Sequence, residues 1–398
     1  MDWQLTDKLN LSFGGEFAYW KEHNATNSDV KKEEAPRLFA AVDYAVSPAH
    51  KVSFKTYTQR MDADFEDTYY GTQTAEVSYE DAEIQYTGLW ADHHLVTLGG
   101  EFLRENLESN TVSKITNDTK SIYAQDEWEL MNSGLVVVPG IRFDSNDAWG
   151  DEFNPKLSIM YRLGEDTTFR GSFGRSFKAP LASQTFADPF NHHTMWVFSN
   201  PNLKPETSLT YQLGVEQYLL GRRVMFSATV YHMDVDDLIV QESTGQMHLG
   251  LPVKSYANIE SAEIRGLESL IKIMFTDRWD MSLGYTYTCA LNKSTDEPLK
   301  DTPENAVNGS LNYHHTEIDL GFSIFGSYTD EQPNIVYVPG FSSETTDAFT
   351  TFGLTAWKSF SDRARIKFSA GNIFNAELEG SDTIHVTRNI SLSAEFKF

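Results

Sequence analysis

The densest group of side chains able to meet a metal or a flat ligand lies between Asp188 and Trp196, in the run Asp-Pro-Phe-Asn-His-His-Thr-Met-Trp. Adjacent imidazoles at His192 and His193 suit iron, and haem iron is commonly held by histidine. Phe190, Met195 and Trp196 add aromatic and soft apolar surface beside them. Two readings stay open here: a ligand to iron, or a histidine pair simply solvated in an exposed loop. Asp234, Asp236 and Asp237 offer oxygen ligands but lack the glycine and distal glutamate of a calcium loop, so they read as a hydrated strand end. Cys289 is the only cysteine, which excludes an internal disulfide framework and a cysteine-rich metal site. It falls on the apolar phase of its run, where a packing role is expected. No Gly-x-Ser-x-Gly elbow, phosphate-binding loop or His-Glu-x-x-His pair occurs, so the expectation is no enzyme, no catalytic residue, no resident cofactor and no metal site.

Composition narrows the class further. The chain has 398 residues, with 57 acidic against 32 basic and a formal charge of −25. A protein this acidic repels a phosphate backbone, so nucleic acid is not an expected partner. No apolar run of about 18 residues exists, which removes a transmembrane helix. The other structure that can cross a bilayer is a closed barrel of strands, whose alternating faces look hydrophilic on average. The negative mean hydropathy of −0.41 is therefore compatible with a membrane.

Period-two alternation dominates the chain. Leu9, Leu11 and Phe13 alternate with Asn10, Ser12 and Gly14; Trp279, Met281, Leu283, Tyr285 and Tyr287 alternate with Asp280, Ser282, Gly284, Thr286 and Thr288. Strand cores are expected near 9–20, 37–46, 51–61, 75–88, 93–105, 119–130, 135–144, 154–163, 166–175, 207–219, 223–235, 256–273, 278–290, 303–314, 316–329, 346–358, 363–371 and 386–398. That makes about 18, many near the 9–11 residues a tilted strand needs to cross a bilayer. Connections alternate between short ones, such as 47–50 and 359–362, and long ones, at 21–36, 62–74, 106–118, 176–206, 236–255, 291–302, 330–345 and 372–385. Short turns on one side and long loops on the other are the habit of outer-membrane barrels. Tyr19, Trp20, Trp128, Trp279 and Tyr313 near strand ends fit interfacial girdles. Gly266, in mid-strand, suggests a bulge.

Four motifs then converge. Gly171 to Pro180 reads Gly-Ser-Phe-Gly-Arg-Ser-Phe-Lys-Ala-Pro, and Asn200 to Thr207 reads Asn-Pro-Asn-Leu-Lys-Pro-Glu-Thr. Farther on come Tyr-Ala-Asn-Ile-Glu at 256–260 with Arg-Gly-Leu-Glu at 265–268, then Gly-Asn-Ile-Phe-Asn at 371–375. Together they resemble the ordered landmarks of TonB-dependent outer-membrane receptors. The motif residues Phe177, Lys178, Ala179, Pro180, Asn200, Pro201, Asn202, Leu203, Lys204, Pro205 and Glu206 look structural, since proline fixes the backbone where strands leave a sheet. The terminal run to Phe398 resembles the assembly strand of outer-membrane proteins.

The resemblance implies an all-β fold, an antiparallel transmembrane β-barrel with about 18 strands of an expected 22 or so. Residues 1–398 would be barrel throughout. The chain opens Met-Asp-Trp-Gln without an export signal, so the plug, the TonB contact and the first strands are expected outside it. The implied setting is the Gram-negative outer membrane, in contact with its lipid. The implied cargo is a ferric siderophore or related chelate imported with TonB. Haem is the alternative cargo, since some haem receptors of the family carry a histidine in the loop holding His192 and His193. A passive porin is the alternative class.

Overall fold

The computed structural model describes residues 2–23, 30–67, 71–110, 112–130, 133–192, 194–258, 261–300, 302–338, 341–361, 363–376 and 387–396. Among them are 25 strands and one short helix, Ala182–Phe186. Each expected strand core overlaps a strand, but 256–273 runs over two, the end of Leu251–Asn258 and most of Ala262–Met274, and 386, 397 and 398 of the last core lie outside the described residues. Two compact units divide the chain: 1–159 with 173–209 and 235–260, and 160–172 with 210–234 and 261–398.

In the first unit, seven strands pair antiparallel in chain order: Leu9–His23, Val30–Ser47, His50–Asp67, Gly71–Trp90, His94–Ser109, Val112–Leu130 and Leu135–Asn146. Their register puts Val52, Phe54, Ile84, Leu98 and Ile122 on one face. The opposite face carries Lys55, Glu83, Glu101, Tyr123, Arg142 and Asp144. Alternation at period two thus separates a lipid face from a polar interior face.

In the second unit, Ala262–Met274, Trp279–Asn292, Asn305–His315, Leu320–Thr329, Phe349–Ser361, Ala364–Gly371 and Asn389–Phe396 repeat the pattern. Trp279 and Tyr313 are register partners with rings 4.9 Å apart, as an interfacial girdle requires. In the turn before Leu320, donors on Ser359, His314 and Arg365 hold the Asp319 carboxyl down at about 2. That carboxylate is therefore charged at any pH a cell meets.

Three expected long loops are largely ladder. Pairing continues to His23↔Val30, Asp67↔Gly71 and Ser109↔Val112, giving strands of 15 to 20 residues. These far exceed the roughly 9–11 residues that span a bilayer. Beyond Phe54, Ala82 and Phe102 the same face turns charged, with Arg60 2.8 Å from Glu76 and Arg104 2.8 Å from Asp118. The apolar alternation stops where the hydrocarbon stops; the backbone ladder does not.

Two further expectations are corrected. Short and long connections do not alternate strictly, because Leu135–Asn146 and Gly150–Leu163 are joined on the long-loop side by only 147–149. Gly266 is no bulge against its neighbour: its register with Trp279–Asn292 runs unbroken through Gly266↔Thr288. A side chain there would meet the Tyr287 carbonyl at 2.3 Å and the Tyr231 hydroxyl at 2.5 Å. Tyr231 crosses over this glycine to reach the Thr288 hydroxyl, 3.3 Å away, so the position needs glycine for close approach.

The strands beyond the expected set are Asp2–Thr6 at the start and six within loops. Phe190–His192, Met195–Phe198, Ile239–His248 and Leu251–Asn258 form a sheet of their own, and Gln332–Val338 pairs with Phe341–Thr346. Lys397 and Phe398 lie outside the described residues.

Candidate functional site

The loop between Thr167–Lys178 and Glu206–Leu219 begins and ends at motif residues. Pro180, Leu203 and Pro205 are buried, and Phe177 packs its ring 5.1 Å from Trp149. Glu206, only 8% exposed, receives the Lys178 ammonium at 3.2 Å on one oxygen and the Ile239 amide at 3.0 Å on the other. A buried carboxylate is tolerable only with such donors.

Asparagines complete the clamp. Asn200 donates its side-chain amide to the Tyr256 carbonyl at 2.9 Å and accepts from the Asn202 amide at 3.0 Å. Asn258 accepts from the Lys204 amide at 2.9 Å and donates to the carbonyls of Lys204 and Asp237 at 3.0 and 2.7 Å. One side chain thereby satisfies the backbone of two loops, which otherwise would hold unpaired groups away from water. Pro201 and Ala179 shape the chain between these contacts. These hydrogen bonds make the motifs a joint between the two loops.

The joint holds the two loops as one sheet. Met195–Phe198 runs parallel to Leu251–Asn258, with Trp196↔Val253, Val197↔Lys254 and Phe198↔Ser255. Val197 and Val253 are almost fully buried at this seam. Phe190, Asn191 and His192 pair back on Val197, Trp196 and Met195. Phe190 is 37% exposed, leaving an aromatic edge available to solvent or ligand.

Trp196 meets a partner that sequence reasoning missed. The His248 ring stands edge-on to it at 4.7 Å and to Phe198 at 5.5 Å. The indole nitrogen of Trp196 is buried with no hydrogen-bond partner among the described residues. His248 carries no short-range signal, since it joins Trp196 only through the pairing of two separate loops. His193 lies outside the described residues, and of His192 only the backbone pairing is described. Among the described residues no group of three histidine, cysteine or carboxylate side chains is placed to hold a metal ion. Asp234 is engaged by Lys293 and by His232 at 3.1 Å, as a hydrated strand end allows.

The polar face of the first unit carries a charge network. Arg142 donates to Glu101 at 2.6 Å, to Ser121 at 2.8 Å and to Asp144 at 2.8 Å. Ser121 donates to Asp144 at 2.6 Å, and Asp144 is 2% exposed. Tyr123 donates to Glu83, which also faces Lys55 at 3.5 Å.

Comparison with known proteins places this arrangement. The family model described as TonB dependent receptor-like, beta-barrel, matches residues 2–376. The ferrienterobactin receptor of Escherichia coli K12 is 24% identical over 292 residues, covering 68% of this chain and 38% of its own. The vitamin B12 transporter BtuB of Photobacterium profundum is 26% identical over 333 residues, covering 78% and 49%. The crystal structure of the siderophore receptor PirA from Acinetobacter baumannii superposes with a TM-score of 0.81 at 18% identity, covering 100% of this chain and 69% of that one. The chain spans about half the length of the curated relatives it matches. The strand ladders, the motif joint and the family match agree: the chain belongs to the TonB-dependent receptor β-barrel family.

Proposed function

We propose that residues 1–398 form the wall of a Gram-negative outer-membrane receptor that imports a ferric siderophore or related metal chelate. The observation that carries this reading is the motif joint, which fuses two extracellular loops into one aromatic-edged sheet over a strand ladder of the receptor family. A relative named as a ferrienterobactin receptor supports a ferric chelate as cargo. Energy reaches such a receptor through TonB, whose contact and plug belong to a segment outside these residues in this reading. Chelate capture falls to Phe190, Met195, Trp196 and His248. No residue performs covalent chemistry, and the iron arrives already coordinated.

Haem is the cargo this reading must beat, because His192 pairs in the same sheet and His193 follows it in the sequence. The test uses the full-length receptor, titrated with haem and with a panel of ferric hydroxamates and catecholates. Substituting alanine for His192 and His193 together should leave chelate affinity within about twofold, since iron held by a chelator needs no ligand from the protein. A haem absorption band that forms with the unmodified receptor and changes in the double variant would make haem the cargo.

A further inference from the structure

The apolar face of the first unit carries a polar group where none is expected. Asp126 shares the phase of Leu98, Ala124 and Ile122, with Val96 directly opposite. One carboxylate oxygen lies 2.7 Å from the His94 ring nitrogen. The other is buried and has no hydrogen-bond partner among the described residues. No lysine or arginine lies within ion-pair distance of it among those residues; its ion-pair neighbour is His94. A buried lone pair left unfilled costs free energy, so such a position calls for an occupant.

The surroundings say which. His94 stacks on Trp128 with centroids 5.4 Å apart and an interplanar angle of 16°. Trp90 is the register partner of His94 and packs edge-on to His50 at 5.1 Å. The neighbouring His93 ring, 4.7 Å from that of His94, also has a buried nitrogen without a partner. All of these sit at the short-turn ends of their strands, the level of the periplasmic headgroups in an outer-membrane barrel. A carboxylate repels phosphate but attracts ammonium, and indole faces attract it further.

We propose that Asp126, His94, Trp90 and Trp128 bind the primary ammonium headgroup of a membrane phospholipid on the lipid-facing side of the barrel. The ammonium reaches the carboxylate through a turn of the Asp126 side chain, which is 30% exposed, while the acyl chains lie along Leu98, Ile122 and Ile84. A choline headgroup lacks N–H donors and offers only cation–π attraction. An anionic glycerol headgroup has hydroxyl donors but no cation to offset its phosphate beside a carboxylate. The site thus discriminates by charge-assisted hydrogen-bond donation.

The test is native mass spectrometry of the full-length receptor in detergent, with phosphatidylethanolamine, phosphatidylcholine and phosphatidylglycerol of matched chains added in turn. Phosphatidylethanolamine should be retained about fivefold more than either of the others, in line with one charge-assisted hydrogen bond. Asp126→Asn should bring it down to the phosphatidylcholine level, measured on the fraction that keeps heat-modifiable migration. Equal retention of all three lipids by the unmodified protein overturns the proposal without any variant. So does a preference for phosphatidylglycerol, or an ethanolamine preference that survives in Asp126→Asn.

Discussion

Replacing Arg142 by alanine should lower barrel stability by about 3–5 kcal/mol, the usual cost of leaving a buried charge without its partner. Arg142 is the hub of the polar-face network, donating to Glu101, Ser121 and Asp144. Asp144 is 2% exposed and has no other cation beside it among the described residues. After the substitution its carboxylate keeps only Ser121 and a long contact from Asn154 at 3.4 Å. Arg142→Ala combined with Asp144→Ala should recover much of the loss, because the orphaned charge goes with its partner. Guanidinium unfolding of folded receptor, followed by heat-modifiable migration and tryptophan fluorescence, measures both. An unchanged midpoint in the single variant would mean that water or another group already neutralises Asp144.

Glu206→Ala should detach the loop sheet from the strand ladder. The carboxylate gives one oxygen to the Ile239 amide and the other to Lys178. The Lys178 side chain is 70% exposed, so the ion pair itself contributes little. The weight falls on the part-buried Ile239 N–H, whose lost acceptor costs about 1–3 kcal/mol where water does not replace it. Amide hydrogen exchange across 239–258 should accelerate by at least about tenfold, the equivalent of 1.4 kcal/mol in local opening. Chelate affinity should weaken by a similar factor if the sheet captures the ligand. Glu206→Gln keeps a carbonyl oxygen for Ile239 and should retain most of the protection. Equal exchange in both variants would assign the anchoring to Asn258 and Asn200 instead.

These variants also mark where the sequence could be read and where it could not. All the crossing strands were legible because lipid on one side and water on the other impose an alternation that survives in the residue order, as in Leu9 to Phe13 or Trp279 to Tyr287. Above the membrane both faces meet water, and Arg60, Asp62, Glu76 and Arg104 erase the alternation while pairing continues. Those segments therefore read as loops. The loop sheet was hidden for a different reason. Its parallel pairing of Trp196 with Val253 is a contact between distant segments, and no local pattern announces it.

The site divides in the same way. The motif residues from Phe177 to Glu206 were legible as structural punctuation, and Asn258 stood among the quoted landmarks; their hydrogen bonds explain why those residue types occur there. His248 was not legible, because its neighbours Trp196 and Phe198 come from another loop. Gly266 was noticed for the right residue and the wrong reason. Its missing side chain makes room for Tyr231 to reach Thr288, a constraint set by three strands at once.

The most direct test of the whole account is uptake of radioactive iron by cells lacking other iron receptors and supplied with the full-length protein containing this chain. A panel of ferric siderophores is offered to energised cells, to cells without TonB and to cells treated with an uncoupler. At least one chelate should accumulate in energised cells and fall to background in the other two, with surface binding retained in all three. Accumulation that proceeds equally without TonB would make the protein a passive pore and contradict the account.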